Sequence, residues 1–214
     1  MVTAPIYYPV CLDVRGKRCV VVGGGKVAAR KVAALVEASA EVVVVSADVC
    51  DAITERGDVS VLHKLWEESD LEGAFLVIAA TNDRPLNERI ALAAREKRAL
   101  CNVVDDASLS DFILPAVLRR GDLLVSVSTS GALPALARRI RGEFESVFER
   151  DYAEYLDIVR EIREDIVKSV PDESVRREAF ATLADPRFVT MIRERGREAT
   201  RRELERIVRE AAHQ

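Results

Sequence analysis

Residues 18–28 read Arg18-Cys19-Val20-Val21-Val22-Gly23-Gly24-Gly25-Lys26-Val27-Ala28. The apolar run ends on three glycines. Behind them residues 26–38, KVAARKVAALVEA, repeat their apolar side chains at helical spacing. A buried strand, a tight turn and a helix in this order form the opening unit of a parallel sheet. Gly23, Gly25 and Ala28 occupy the three small positions of G-x-G-x-x-G/A. Gly23 allows the turn, Gly25 lets backbone approach a pyrophosphate, and Ala28 lets the helix lie close to the sheet. The helix start adds free N–H groups and a partial positive charge. Dinucleotide binding is therefore expected at Gly23, Gly24, Gly25 and the helix start behind them.

The same grammar continues outward. Residues 41–46 (EVVVVS) and 74–80 (AFLVIAA) read as buried strands, 59–62 (VSVL) as a weaker one, and 99–104 (ALCNVV) as a fifth. A helix is predicted over 84–97. Strands alternating with helices of this length give an α/β fold with a doubly wound parallel sheet of Rossmann type. After Asp111 the pattern changes. Residues 113–118 and 123–128 read as two strands of a hairpin, with Arg119-Arg120-Gly121-Asp122 as the turn. From Ala135 onward the sequence is helical, with breaks near Pro171-Asp172 and Asp185-Pro186. The expected organisation is a nucleotide-binding domain over 1–112, a hairpin and helix over 113–150, and a small helical domain over 151–214.

Ligands of such sheets bind beyond the carboxyl ends of the strands. The second strand ends in Ser46, Ala47 and Asp48, and either Ser46 or Asp48 suits a ribose hydroxyl. No Arg follows this strand closely, which favours NAD over NADP. Thr81 and Asn82 close the fourth strand; Thr81 reads equally as a helix cap. Asn102 and Val103 open the segment at the fifth strand tip, and they are expected in the same cleft.

The 214 residues carry 32 Lys+Arg against 36 Asp+Glu, and 49% are hydrophobic. This composition excludes disordered, collagen-like and low-complexity chains. Net charge is −4 over residues 1–112 and zero over 113–214, so neither part is a nucleic-acid footprint. No apolar run is long enough to span a membrane. The opening MVTAPIYYPVCLDV lacks signal-peptide character, so a cytoplasmic protein is expected. Cys11, Cys19, Cys50 and Cys101 are scattered, and His63 and His213 are far apart. No metal site is read from them, and reduced thiols are expected.

Several motifs fall in order along residues 5–150. They are Pro9-Val10-Cys11-Leu12-Asp13-Val14, the glycine block through Arg30-Lys31, and Ala79-Ala80-Thr81-Asn82-Asp83 with Leu86-Asn87. Cys101-Asn102-Val103-Val104-Asp105 follows with Phe112-Ile113-Leu114-Pro115-Ala116. The series ends with Val127-Ser128-Thr129-Ser130-Gly131 and Pro134-Ala135-Leu136-Ala137-Arg138. With these motifs the chain resembles the precorrin-2 dehydrogenase family, which includes part of siroheme synthase.

The resemblance implies NAD+-dependent oxidation of precorrin-2 to sirohydrochlorin and a homodimer paired through the hairpin and following helices. It places the catalytic aspartate on Asp105 and dinucleotide contacts on Lys26-Val27 and Ala47-Asp48. Thr129 stands where some members carry a phosphorylated serine. No methyltransferase activity is expected.

A carboxylate beside the nicotinamide can take the proton as hydride leaves. Asp105 stands at the fifth strand tip, with Asp106 and Asp111 as rivals and a turn cap as the structural alternative. A polycarboxylate substrate calls for guanidinium groups. Arg119, Arg120 and Arg138, with Thr129 and Ser130, are the candidates, and Arg139 and Arg141 lie near. Two alternatives remain open at this stage: an added ferrochelatase activity, in which the same aspartate serves both reactions, and a non-catalytic NAD(H)-sensing module.

Overall fold

The computed structural model describes residues 5–212, so His213 and the first four residues of the opening stretch lie outside the description. Contacts divide the chain into one unit up to Leu114 and a second from Pro115.

In the first unit, β1 (Arg18–Val22), α1 (Lys26–Glu37), β2 (Glu41–Val45), α2 (Asp51–Thr54) and β3 (Ser60–Leu62) lead to β4 (Leu76–Ala79), α3 (Arg84–Glu96) and β5 (Leu100–Val103). All five strands are parallel, in the order β3-β2-β1-β4-β5. Successive side chains of a strand point to opposite faces, and both faces are covered. Val20, Val22, Val77, Ala79, Cys101 and Val103 meet Ile90 and Ala94 of α3 on one side. Cys19, Val21, Val42, Val44 and Ile78 meet Ala28 and Val32 of α1 and Ile53 of α2 on the other. Ala28 is fully buried, which is the close helix–sheet approach that its small side chain permits. Helix α3 starts at Asp83, whose carboxylate accepts from Leu86 N at 3.1 Å.

Cys19 and Cys101 lie inside these two cores, and burial pushes their thiols up to about 11 and about 12. The thiolate is the reactive species. In the native protein a thiol reagent is therefore expected to label exposed Cys11 and to spare Cys19 and Cys101 until denaturant is added, as read by peptide mass mapping.

The second unit opens with the antiparallel pair β6 (Ala116–Arg120) and β7 (Leu123–Val127). Ile113 and Leu114 fall outside the strand predicted to include them. Pro115 has no N–H for a ladder, so pairing starts after it. The turn is also tighter than predicted: Arg119 pairs with Leu124 and Arg120 with Leu123, leaving Gly121-Asp122 as the loop, with Gly121 at φ +56. Helix α4 (Pro134–Val147) packs on both strands. Helices α5 (Asp151–Ser169), α6 (Glu173–Leu183) and α7 (Arg187–Ala212) follow. The predicted breaks separate α5 from α6 and α6 from α7. A further break inside α7 comes at Gly196, whose φ of +78 and ψ of 171 interrupt the helix.

Tyr155, Ile158, Ile162 and Ile166 form one stripe of α5 at spacings of three and four. They bury against Leu183, Phe188, Ile192, Leu204 and Val208. Ion pairs from Arg193 to Asp151 (2.7 Å) and from Arg197 and Arg201 to Glu161 (2.9 Å each) tie α7 to α5. No helix among the described residues is long and apolar enough to cross a membrane.

Candidate nucleotide-binding groove

A groove of about 720 Å³ opens at the carboxyl ends of β1, β2 and β4. Its floor is the glycine turn, and the three glycines do different work. Gly23 has φ +122, and a Cβ there would stand 2.4 Å from the Ala80 carbonyl oxygen, so the turn lies directly on the end of β4. A Cβ on Gly24 would stand 2.0 Å from the Asp48 carbonyl oxygen. The loop after β2 is thus pressed onto Gly24, and Cys50 N donates to Gly24 O at 2.9 Å. Gly25 is the N-cap of α1 with an ordinary φ of −82, and a Cβ there would meet nothing within 4 Å.

Two of the glycines are therefore required by neighbouring backbone. The third leaves open space in front of the free N–H groups of Lys26 and Val27. No acidic residue occupies the first turn of α1. An open N-terminus of a twelve-residue helix, free of competing carboxylates, fits a pyrophosphate.

Of the residues assigned to the cofactor from sequence, Gly23, Gly24, Gly25, Lys26, Val27, Ser46, Ala47, Asp48, Thr81 and Asn82 all line this groove. Ser46 is occupied locally: its Oγ donates to the Asp48 carbonyl at 2.8 Å, shaping the β2 tip. The Asp48 carboxylate is exposed at the rim, where a ribose hydroxyl could reach it. Thr81 is not the cap of α3; Asp83 is. Thr81 Oγ1 instead donates to Asn87 Oδ1 at 2.7 Å, while Asn87 Nδ2 donates to the Thr81 carbonyl at 3.0 Å. The buried Asn87 thereby fixes the end of β4 against the groove.

Asn102 and Val103 do not line it. Asn102 Nδ2 donates to the Phe112 carbonyl at 2.9 Å, and Val103 belongs to the core. The groove wall ends at the tip of β4 rather than reaching β5.

At the tip of β5 the three neighbouring aspartates separate by role. Asp106 accepts from Ser108 N at 3.1 Å, which caps the short 3-10 turn Ala107–Leu109, and pairs with Arg84 at 3.4 Å. These donors hold its carboxyl below the usual carboxylate range, the Ser108 hydroxyl contributing most. Asp111 accepts from Cys101 N at 2.9 Å and faces Arg95. Both are committed to the loop. Asp105 is exposed and left-handed, at φ +62. Its charge is felt by Lys31 of α1. Burial lowers the Lys31 ammonium, the Arg30 charge adds to this, and the Asp105 carboxylate opposes both.

Lys64, Leu65 and Trp66 also line the groove and carry no motif. They follow β3, the strand with the weakest apolar signal. Trp66 is buried beneath the Arg89 guanidinium, 5.8 Å from the ring centre.

The substrate candidates lie in the second unit. Arg120 Nε donates to the Phe148 carbonyl at 3.0 Å, so this side chain fastens the hairpin to the end of α4. Arg119 and Arg138 are exposed. Arg139 and Arg141 pair with Glu143 and Glu145 along α4. Thr129 Oγ1 accepts from Leu133 N at 3.1 Å ahead of α4, and Ser130 is left-handed at φ +53.

Residues 10–116 match the family model described as "Putative NAD(P)-binding". The chain belongs to this NAD(P)-binding family. It is 38% identical to the siroheme synthase of Methylococcus capsulatus, over 96% of this chain and 43% of that protein. The siroheme synthase of Mannheimia succiniciproducens is 34% identical over 93% of this chain and 42% of its own length. The chain thus spans less than half the length of these relatives. Among solved structures it resembles SirC, a precorrin-2 dehydrogenase, with a TM-score of 0.78 and 28% identity, over 95% of this chain and 100% of that one. These likenesses bear out the resemblance carried by the motifs, and NAD is the cofactor they support.

Proposed function

We propose that this chain oxidises precorrin-2 to sirohydrochlorin with NAD+ in siroheme biosynthesis. The observation that carries the reading is the pairing of two features in one α/β unit. One is a pyrophosphate cradle at Gly25. The other is an uncommitted carboxylate, Asp105, at the tip of β5, beside two aspartates fully used by the fold. The likeness to SirC over 95% of this chain and 100% of that one supports the same reading.

NAD+, when bound, accepts the hydride. The chain's own part is to hold it and to move the proton. The first turn of α1 holds the pyrophosphate, and Asp48 takes a ribose hydroxyl. Asp105 Oδ accepts the proton released from substrate carbon as the hydride departs. The nearby Lys31 ammonium supplies positive charge toward that carboxylate. Arg119 and Arg138, with Thr129 and Ser130 before α4, remain the second unit's candidates for substrate carboxylates. Arg120 is occupied by Phe148. The test is anaerobic conversion with mass analysis: the tetrapyrrole loses two hydrogens if the reading is right and is unchanged if it is wrong.

The same reading includes a homodimer in the cytoplasm, where free thiols stay reduced. A two-stranded hairpin is marginal by itself. Here it has α4 on it, yet Val117 of β6 and Leu133, Leu136 and Val147 around α4 remain 41–56% exposed. Light scattering at micromolar concentration is expected to give twice the chain mass of 23.7 kDa, and a monomer would contradict this.

A further inference from the structure

The sequence favours NAD because no Arg follows β2, but the fold brings a cation to that place from elsewhere. Ser46 N donates to the Leu62 carbonyl at 3.2 Å, so the end of β3 lies beside the β2 tip. Lys64 lies two residues on, its N–H on the same carbonyl at 2.9 Å, and it is a lining residue of the groove with Ser46, Ala47 and Asp48. Among the described residues the other lysine of the groove wall is Lys26, at the start of α1. A lysine beside the ribose-binding strand tip is what a 2′-phosphate would use.

Lys64 is not free to act so. Its ammonium pairs with Asp70 Oδ1 at 2.9 Å and with Glu67 Oε2 at 3.1 Å. Asp70 is buried, 7% exposed, and its other oxygen accepts from Glu67 N at 2.9 Å, closing a capping box over the 3-10 turn Glu68–Leu71. The latch is thus part of the fold rather than a loose surface pair. Glu67 and Asp70 thus set two carboxylates against the one Lys64 ammonium, and Asp48 adds a third carboxylate at the groove rim. A neutral ribose hydroxyl is accepted there, whereas a phosphate carrying about −1.5 to −2 charges is repelled.

We propose that the Lys64–Asp70–Glu67 latch sets selectivity for NAD over its 2′-phosphorylated form, and that Lys64 is a 2′-phosphate ligand held neutralised. This rests on the dinucleotide reading of the groove. The negative charge and not the geometry is what discriminates, so neutral isosteres release the lysine in place.

Calorimetry on the full chain with NAD+, NADP+, 5′-AMP and 2′,5′-ADP tests it. The unaltered protein is expected to bind NAD+ at least about tenfold more tightly than NADP+. In Glu67→Gln/Asp70→Asn, NADP+ and 2′,5′-ADP should gain about tenfold while NAD+ and 5′-AMP hardly change. Adding Lys64→Met should abolish the gain. Glu67 is exposed, so Glu67→Gln alone folds even if the buried Asp70→Asn does not, and it should give part of the gain. A folded variant with an unchanged NAD+/NADP+ ratio overturns the proposal, as does a gain that survives Lys64→Met, or an unaltered protein that binds both equally. Binding of neither dinucleotide by the unaltered protein would instead strike the reading of the groove itself.

Discussion

Asp105→Asn is expected to lower turnover of precorrin-2 by about 10²–10⁴-fold while NAD+ affinity stays nearly unchanged. The substitution is unusually clean at this position. Asp105 sits at φ +62, where Asn is among the residues best tolerated, so the backbone has no reason to move. Size and hydrogen-bonding capacity are kept, and only the basic oxygen is lost. The neighbours serve as controls because the fold uses them differently. Asp106→Asn weakens a cap and an ion pair with Arg84, and Asp111→Asn weakens the hold on Cys101 N. Those changes are expected to lower the melting temperature more than the rate of the chemical step. Single-turnover kinetics beside calorimetric NAD+ titration separates the two. An Asp105→Asn protein with near-normal turnover would show that the proton leaves to water unaided.

The second large effect distinguishes adjacent glycines. Gly25→Val is expected to lower the melting temperature only slightly, because valine is a poorer N-cap than glycine, and to weaken NAD+ binding by tenfold or more, at least ~1.4 kcal/mol. Its φ of −82 and ψ of −177 suit valine, and beyond the adjoining residues nothing lies within 4 Å of a Cβ there, so the added bulk has room in the groove that Gly25 lines and is expected to obstruct a pyrophosphate. Gly24→Ala should do the reverse. Its Cβ would stand 2.0 Å from backbone oxygen of Asp48, which cannot swing away as a side chain can. Overpacking of this kind costs about 1–3 kcal/mol or more, and it should appear as a lower melting temperature without ligand. Equal loss of stability in both variants would contradict the division of roles among the three glycines.

The sheet was legible because β1, β2, β4 and β5 are buried on both faces, and runs such as EVVVV and LVIA signal this without ambiguity. The phosphate end of the site was legible for a related reason: close backbone approaches demand glycine, and glycine is visible in sequence. What sequence could not show is how side chains are shared out. Three aspartates within residues 105–111 look alike on paper, and only the loop's hydrogen bonds separate Asp105 from Asp106 and Asp111. Asn102 was placed in the cleft by its position at a strand end, but Phe112 turns its amide inward. Lys64 and Trp66 were missed because β3 is a short edge strand with one half-buried residue, so nothing marked the segment after it as part of a wall. Asn87 sits inside a helix, where its reach back to Thr81 has no local signature. The Gly196 break in α7 was hidden by strong helix formers on both sides.

If this groove and Asp105 together carry out a dehydrogenation, NADH absorbance should rise after the purified chain is mixed with NAD+ and precorrin-2 in the absence of oxygen. The expected rise matches the precorrin-2 consumed, one NADH per sirohydrochlorin formed, and nearly disappears in Asp105→Asn. NAD+ bound at the groove with no NADH formed from precorrin-2 would contradict it.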